Sequence, residues 1–256
     1  MKKVNKQIKI TLGIMIPLLI GYFIYVNYWE YIENLLWNED YDQRAMNYNS
    51  YTEIPTPWHF KYECKDLYKG LDLSHHNKIV DFDALGKYDF IYHKATEGNT
   101  FVDPKFNSRI NQFVRMGIPC GAYHFFTTGS SGKAQFKHFK SVVSKNYPLI
   151  PVLDIEINKN GWSKKKLNKE LSTWINLCEK YYGVKPIIYS SSHFYIKYDL
   201  KQHGCMFWSG DINSKSLVKH CIHQKKLVNV TGIIGKVDYN EACDIFINPC
   251  STYNEF

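Results

Sequence analysis

The chain has 256 residues, 45% of them hydrophobic and 16% aromatic, enough for a sizeable core and too much for a disordered protein. Its formal net charge is +8, but Lys2, Lys3, Lys6 and Lys9 supply half of that ahead of any acidic residue, so the remainder is too mildly basic to imply a nucleic-acid partner. The 7 cysteines include no CxxC pair, which gives a structural zinc site little support.

The first segment, "MKKVNKQIK", leads into "ITLGIMIPLLIGYFIYVNYW", uncharged from Ile10 to Trp29. That stretch is long enough to span a bilayer and longer than an ordinary signal-peptide core. No small-x-small cleavage pattern follows it. Lysines before the span and aromatics after it predict an uncleaved signal-anchor over residues 10–29, behind a basic cytoplasmic flank of residues 1–9. A cleaved signal peptide is the competing reading, and on either one the remainder is exported. An oxidising compartment suits the cysteines, four of which follow residue 200, so bridges are expected in the C-terminal region. Residues 30–67 read as a Tyr- and Asn-rich connector in which "EYIENLL" could form a short helix before the extended "EIPTPW".

From Tyr68 to Phe256 the texture is that of a folded domain. Strand-like runs ("YKGLDLS", "DFIYHKA", "CGAYHFF", "LIPVLDIEI", "PIIYSS", "MFWSG", "CIHQKK", "GKVDYN") are separated at first by helical patterns. "DPKFNSRINQFVRMG" predicts a helix with Asp103 as N-cap, Pro104 in the first position and Gly117 as the stop. "KAQFKHFKSVVSKN" predicts a second. A third is expected between Ser163 and Gly183, with Leu167, Leu171, Trp174, Ile175 and Leu177 near helical spacing. Strand–helix alternation implies an α/β fold with parallel strands. Helices thin out after about residue 200. A doubly wound sheet would want a Gly-rich phosphate turn after its first strand, and "GLDLSHHN" is not one, which favours a barrel resembling the TIM barrel.

The run "LIPVLDIEI" contains two carboxylates, Asp154 and Glu156, in otherwise apolar sequence. Residues i and i+2 of a strand share a face, so the pair would point together into a barrel mouth. Repulsion and partial burial would then raise one pKa and leave a proton donor beside an ionised neighbour, the combination glycoside hydrolysis requires. Two solvated acids at a strand end are the bland alternative. Asp72 in "GLDLSHH" and Asp238 in "GIIGKVDYN" also fall near strand ends, and three such ends can converge on one mouth.

At this point the chain resembles the glycoside hydrolase family 25 lysozymes. "KGLDLSHHNKIVDF", "IYHKATEGNTFVDPKF", "GIPCGAYHFF", "PVLDIE", "GVKPIIYSS" and "VTGIIGKVDYN" occur in the family's order, from about Tyr68 to Asn240. The resemblance implies a flattened β/α barrel and an N-acetylmuramidase that cuts the β-1,4 bond between N-acetylmuramic acid and N-acetylglucosamine in peptidoglycan. It implies Glu156 as the general acid and Asp154 as its ionised partner, either orienting the substrate acetamido group or acting on the anomeric carbon. Asp72 and Asp238 would complete the acidic cluster. Tyr123, Tyr189 and Trp208 would bind sugar, and Lys94 and Glu97 could pair beside the cleft. No cofactor or metal is implied; His75, His76, His93 and His124 lack HxxxH or HExxH spacing. The expected partners are peptidoglycan glycan strands and, through the anchor, the membrane, with the protein a monomer.

The chain departs from the family where a Trp-Gln-Tyr segment is usual. Here "HCIHQKK" puts His223 in the place of Trp and Lys225 in that of Tyr, which predicts an altered groove rim. A barrel that binds glycan without turnover is therefore an alternative. A chitinase-like enzyme is another, though the longer DxxDxDxE signature is absent.

Overall fold

The computed structural model describes residues 67–244 and 246, so the expected anchor and nearly all of the connector lie outside the described residues. The elements run β1 (Tyr68–Leu73), β2 (Lys78–Ile79), a 3-10 turn (Asp83–Leu85), β3 (Phe90–Glu97), β4 (Phe101–Val102), α1 (Phe106–Arg115) and β5 (Cys120–Phe125). Then come α2 (Gly132–Val142), β6 (Val152–Asp154), α3 (Lys164–Tyr182), β7 (Ile187–Ser190), α4 (Ser192–Tyr198) and a 3-10 turn (Leu200–His203). The described chain ends with β8 (Phe207–Ser209), β9 (Ile222–Asn229), β10 (Ile233–Ile234) and β11 (Lys236–Ala242).

The main sheet closes on itself. Its order is β1-β11-β9-β8-β7-β6-β5-β3, with β3 pairing back onto β1 and β4 added at the end of β3. Neighbours in this ring are parallel except at β11, which runs antiparallel to both β1 and β9. Helical crossovers stop before β8, and the late strands follow one another through loops, as the thinning of helical pattern predicts.

Local sequence explains most element ends. Ser163 caps α3 by accepting from Lys166 N at 3.2 Å, and Gly183 ends it in the left-handed region at φ 75°. Leu167, Leu171, Trp174, Ile175 and Cys178 form its buried stripe. The α1 start is a correction: the helix begins at Phe106 with Lys105 at the cap position, not at Asp103. The Asp103 carboxylate instead accepts a tertiary bond from His75 N at 2.8 Å and a local one from Lys105 N at 2.9 Å. Another correction concerns β6, which ends at Asp154; Glu156 stands on the segment just beyond the strand.

Strand alternation makes two apolar layers. Leu71, Leu73, Ile91, Leu153 and Ile155 belong to the core that packs against the helices. Phe90, Tyr92, Val152, Ile187 and Trp208 are buried outside that cluster, filling the barrel. Tyr92 lies 5.1 Å from the Trp208 ring and 6.2 Å from Phe90, and its hydroxyl donates to Ile150 O at 3.0 Å. Two glycines make room: a Cβ at Gly70 would fall 2.2 Å from the Phe90 ring, and one at Gly121 would fall 2.7 Å from Tyr92. Cys120, Cys178, Cys205 and Cys221 are free thiols, whereas Cys243 is disulfide-bonded. Gly121→Ala should destabilise the domain by about 1–3 kcal/mol through overpacking, read as a lower denaturant midpoint. An unchanged midpoint would contradict this account of the barrel interior.

Candidate active site

The four acids singled out in the sequence meet at one end of the barrel. Asp72 and Asp238 are register partners across β1 and β11. Asp238 is near the start of its strand and Asp72 near the end of its own, which coincide because β11 runs antiparallel. Asp154 closes β6 opposite Tyr189 of β7. Past Asp154 the extended backbone continues, Ile155 N donating to Tyr189 O at 3.0 Å. Ile155 is fully buried on the outer layer, so alternation returns Glu156 to the Asp154 side, where it is open to solvent.

Amide side chains hold two of these acids. Asn240, wholly buried, donates from Nδ2 to Asp72 Oδ2 at 2.8 Å and accepts from Trp208 Nε1 at 3.0 Å. Gln224 donates from Nε2 to Asp238 Oδ1 and accepts from the Tyr189 hydroxyl at 2.5 Å. Each relay ties an aromatic ring to a carboxylate. Asp154 has no such support: it is 6% exposed and its Oδ1 is buried without a hydrogen-bond partner. An unmet buried acceptor is expensive, and a substrate donor would relieve it.

Burial raises all four carboxyl pKa values, and the charge of a neighbouring acid raises Asp72, Asp154 and Glu156 further. For Asp72 burial acts first and Asp238 next, opposed by the bond from Asn240. For Asp154 burial is followed by the charge of Glu156, with Lys94 pulling the other way. Burial and then Asp238 raise Glu156, while burial raises Asp238 against the bond from Gln224. Glu156 is accessible to solvent yet partly desolvated by the protein around it. Tyr123 and Tyr189 feel the same field: burial, then the cluster's charges, push both phenols up and keep them neutral donors.

Lys94 is a cation beside this cluster. Its Nζ meets Glu97 at 2.5 Å and lies 4.8 Å from the centre of the Phe125 ring, realising the expected ion pair. Tyr123 and Tyr189 are half-buried. Trp208, expected in the sugar groove, is 2% exposed and lies under Tyr189 with rings 5.4 Å apart. It supports the site from beneath. The histidines serve the scaffold: His124 bonds with Thr96 at 2.7 Å and Gln135 at 3.2 Å, while His93 accepts from Arg109 at 3.2 Å. Burial lowers their pKa values to about 3 for His124 and about 4 for His93, so both stay neutral.

Comparison with known proteins agrees with this geometry. Residues 71–215 match the model of glycosyl hydrolases family 25. The chain belongs to that family. A family 25 glycosyl hydrolase from Bacillus anthracis superposes with a TM-score of 0.63 at 30% identity, covering 68% of this chain and 88% of the other. Protein YegX of Escherichia coli K12, itself uncharacterized, is 35% identical over 134 residues, 49% of each chain. Lysozyme M1 of Streptomyces globisporus is 35% identical over 116 residues, 42% of this chain and 40% of that one. The chain thus spans about half the length of these curated relatives or less.

This family 25 barrel buries His223, one of its two unusual residues, and leaves the other, Lys225, partly exposed. His223, 5% exposed, alternates with the inward Ile222 and Gln224, and its Nε2 donates to Asp211 O at 3.0 Å. Lys225 sits at the β9 bulge, where the register slips opposite Tyr239 and Asn240, and lies 3.8 Å from Glu241. The Gln between them faces the site. Gln224 and Asn240 are site residues that no motif in the sequence marks. Their signal is positional: Asn240 is two residues from Asp238, hence on the same strand face, and Gln224 is the retained middle of the altered segment.

Asp154 sets a stability test. Its native pKa is raised, so as pH climbs the unfolded chain releases this proton first and native stability falls until the native group has ionised. Asp154→Asn should therefore be more stable than the parent at neutral pH, with the gap closing in acid below the ordinary aspartate range. Thermal unfolding across pH checks this; a pH-independent gap would contradict it.

Proposed function

We propose that this protein is a muramidase, cutting the β-1,4 bond between N-acetylmuramic acid and N-acetylglucosamine in peptidoglycan outside the cytoplasmic membrane, to which residues 10–29 anchor it. The single observation that carries the reading is the clustering of Asp72, Asp154, Glu156 and Asp238 at one barrel mouth, with Glu156 accessible and its pKa raised. Family membership supports the reaction class. The uncharged run from Ile10 to Trp29 supports the anchor.

In this mechanism Glu156, held protonated by its surroundings, delivers its proton to the glycosidic oxygen as the bond breaks. Asp154, once ionised, faces the developing positive charge at the anomeric carbon. The unmet Oδ1 favours a hydrogen bond from the substrate acetamido N–H, which would orient that group's oxygen toward the same carbon. Asp238 supplies charge that raises Glu156, and Asp72 and Asp238 are fixed by Asn240 and Gln224. Tyr123 and Tyr189 offer hydroxyls and ring faces to the sugars, and Trp208 holds the Tyr189 ring from below.

Glu156→Gln should cut kcat on purified peptidoglycan by about 10²–10⁴-fold, the usual worth of a positioned proton donor. Release of reducing sugar at the parental rate would remove Glu156 from the role. The alkaline limb of the parent's pH–rate profile should lie above the ordinary glutamate value. In Asp238→Asn it should move down, because Asp238 is a charge that raises Glu156. A limb that stays in place would show that Asp238 does not act on the acid.

A further inference from the structure

The loop that leaves Glu156 leads into the densest cationic stretch of the described domain. Lys159, Lys164, Lys165, Lys166 and Lys169 fall within residues 159–169, with no acid among them, and all five are exposed. Three of them occupy the first turn of α3, which has no acidic residue. That placement opposes the helix dipole, whose N-terminus is already positive and is better served by Glu or Asp. A choice that weakens the fold locally points to a use elsewhere.

The loop is held in place. Asn158 accepts from Trp162 N at 2.8 Å, and its Nδ2 donates to Trp162 O at 2.7 Å and to the Tyr198 hydroxyl at 3.1 Å. Asn160 N donates to Thr128 Oγ1 at 3.0 Å, which ties the loop to the segment after β5. Lys166 Nζ stands 4.5 Å from the centre of the Trp162 ring. Among the described residues the group's carboxylate partner is Asp199, 3.7 Å from Lys164, with both side chains about half exposed. Such a pair is worth little and is easily exchanged for another anion. Glu170, the next acid, is occupied by Gly132 N at 2.8 Å.

We propose that Lys159 and Lys164–Lys166 extend the cleft as an anion-binding rim for the carboxylates of peptide stems borne by the same glycan strand. The inference rests on the muramidase reading and adds a charge rule to it. Neutral sugar rings occupy the acidic mouth, where a substrate carboxylate would be repelled. The anionic stems lie beside it over the lysines, so the complementary charges also fix which way the strand runs.

The test is retention of full-length Glu156→Gln protein, which binds without cutting, on peptidoglycan sacculi stripped of phosphodiester polymers. Adding K165E/K166E leaves the Lys164–Asp199 pair intact and should lower retention about fivefold or more, with most of the difference vanishing at high salt. The same loss should appear for Glu156→Gln protein alone on sacculi whose carboxylates have been converted to amides. Its lysines are unaltered, so this arm stands even if the substituted helix folds poorly. Glutamates at these positions suit the helix dipole, so the melting temperature should not fall. Undiminished retention in either arm would overturn the proposal, as would a loss seen only on sacculi that keep their phosphodiester polymers. Failure of the muramidase reading would look different: protein with Glu156 intact would release no new reducing ends.

Discussion

The structure depends on four carboxyl groups forced together at the end of one closed sheet. Asp72, Asp154, Glu156 and Asp238 each feel burial first, and the charge of a neighbouring acid raises at least three of them further. In water such a group would ionise and separate. Here the strands do not let it separate, so the cluster resolves the conflict by keeping protons. That retained proton is what an acid-catalysed bond cleavage needs, and stability is lost at neutral pH to hold it there.

The rest of the molecule supplies the rigidity. Gly70 and Gly121 let Phe90 and Tyr92 fill the barrel, Trp208 packs against that filling, and its indole N–H reaches Asn240, which holds Asp72. Tyr189 and Gln224 do the same for Asp238. The apolar floor and the polar mouth are thus one continuous arrangement, in which Asp72 and Asp238 are each oriented by a side chain packed from below. Asp154 has no such support. Its unbonded oxygen is where the mouth remains unfinished without a substrate donor.

Much of this was legible in the sequence because it rests on local rules. Strand alternation exposed Asp154 and Glu156 as anomalies, and Ser163 and Gly183 marked both ends of α3 as they stand. What was hidden depends on partners far apart in the chain. Asp103 resembles a helix cap until His75, 28 residues earlier, claims its carboxylate. Trp208 resembles a groove residue until Asn240, 32 residues later, takes its indole N–H. His223 reads as a rim change because composition does not reveal which face of a strand is buried. Gln224 and Asn240 were missed for a related reason: an amide has no distinctive spacing, and its importance appears only once the carboxylate it holds is in place.

The central claim is that burial and like charge keep part of this cluster protonated well above the ordinary carboxylate range. Carboxyl-carbon NMR, with Asp and Glu labelled and each of the four sites assigned by its amide substitution, measures that directly. The account predicts that at least Asp154 or Glu156 titrates above the ordinary value, and that Glu156→Gln lowers the pKa of Asp154. Four independent titrations in the ordinary aspartate and glutamate range would contradict it.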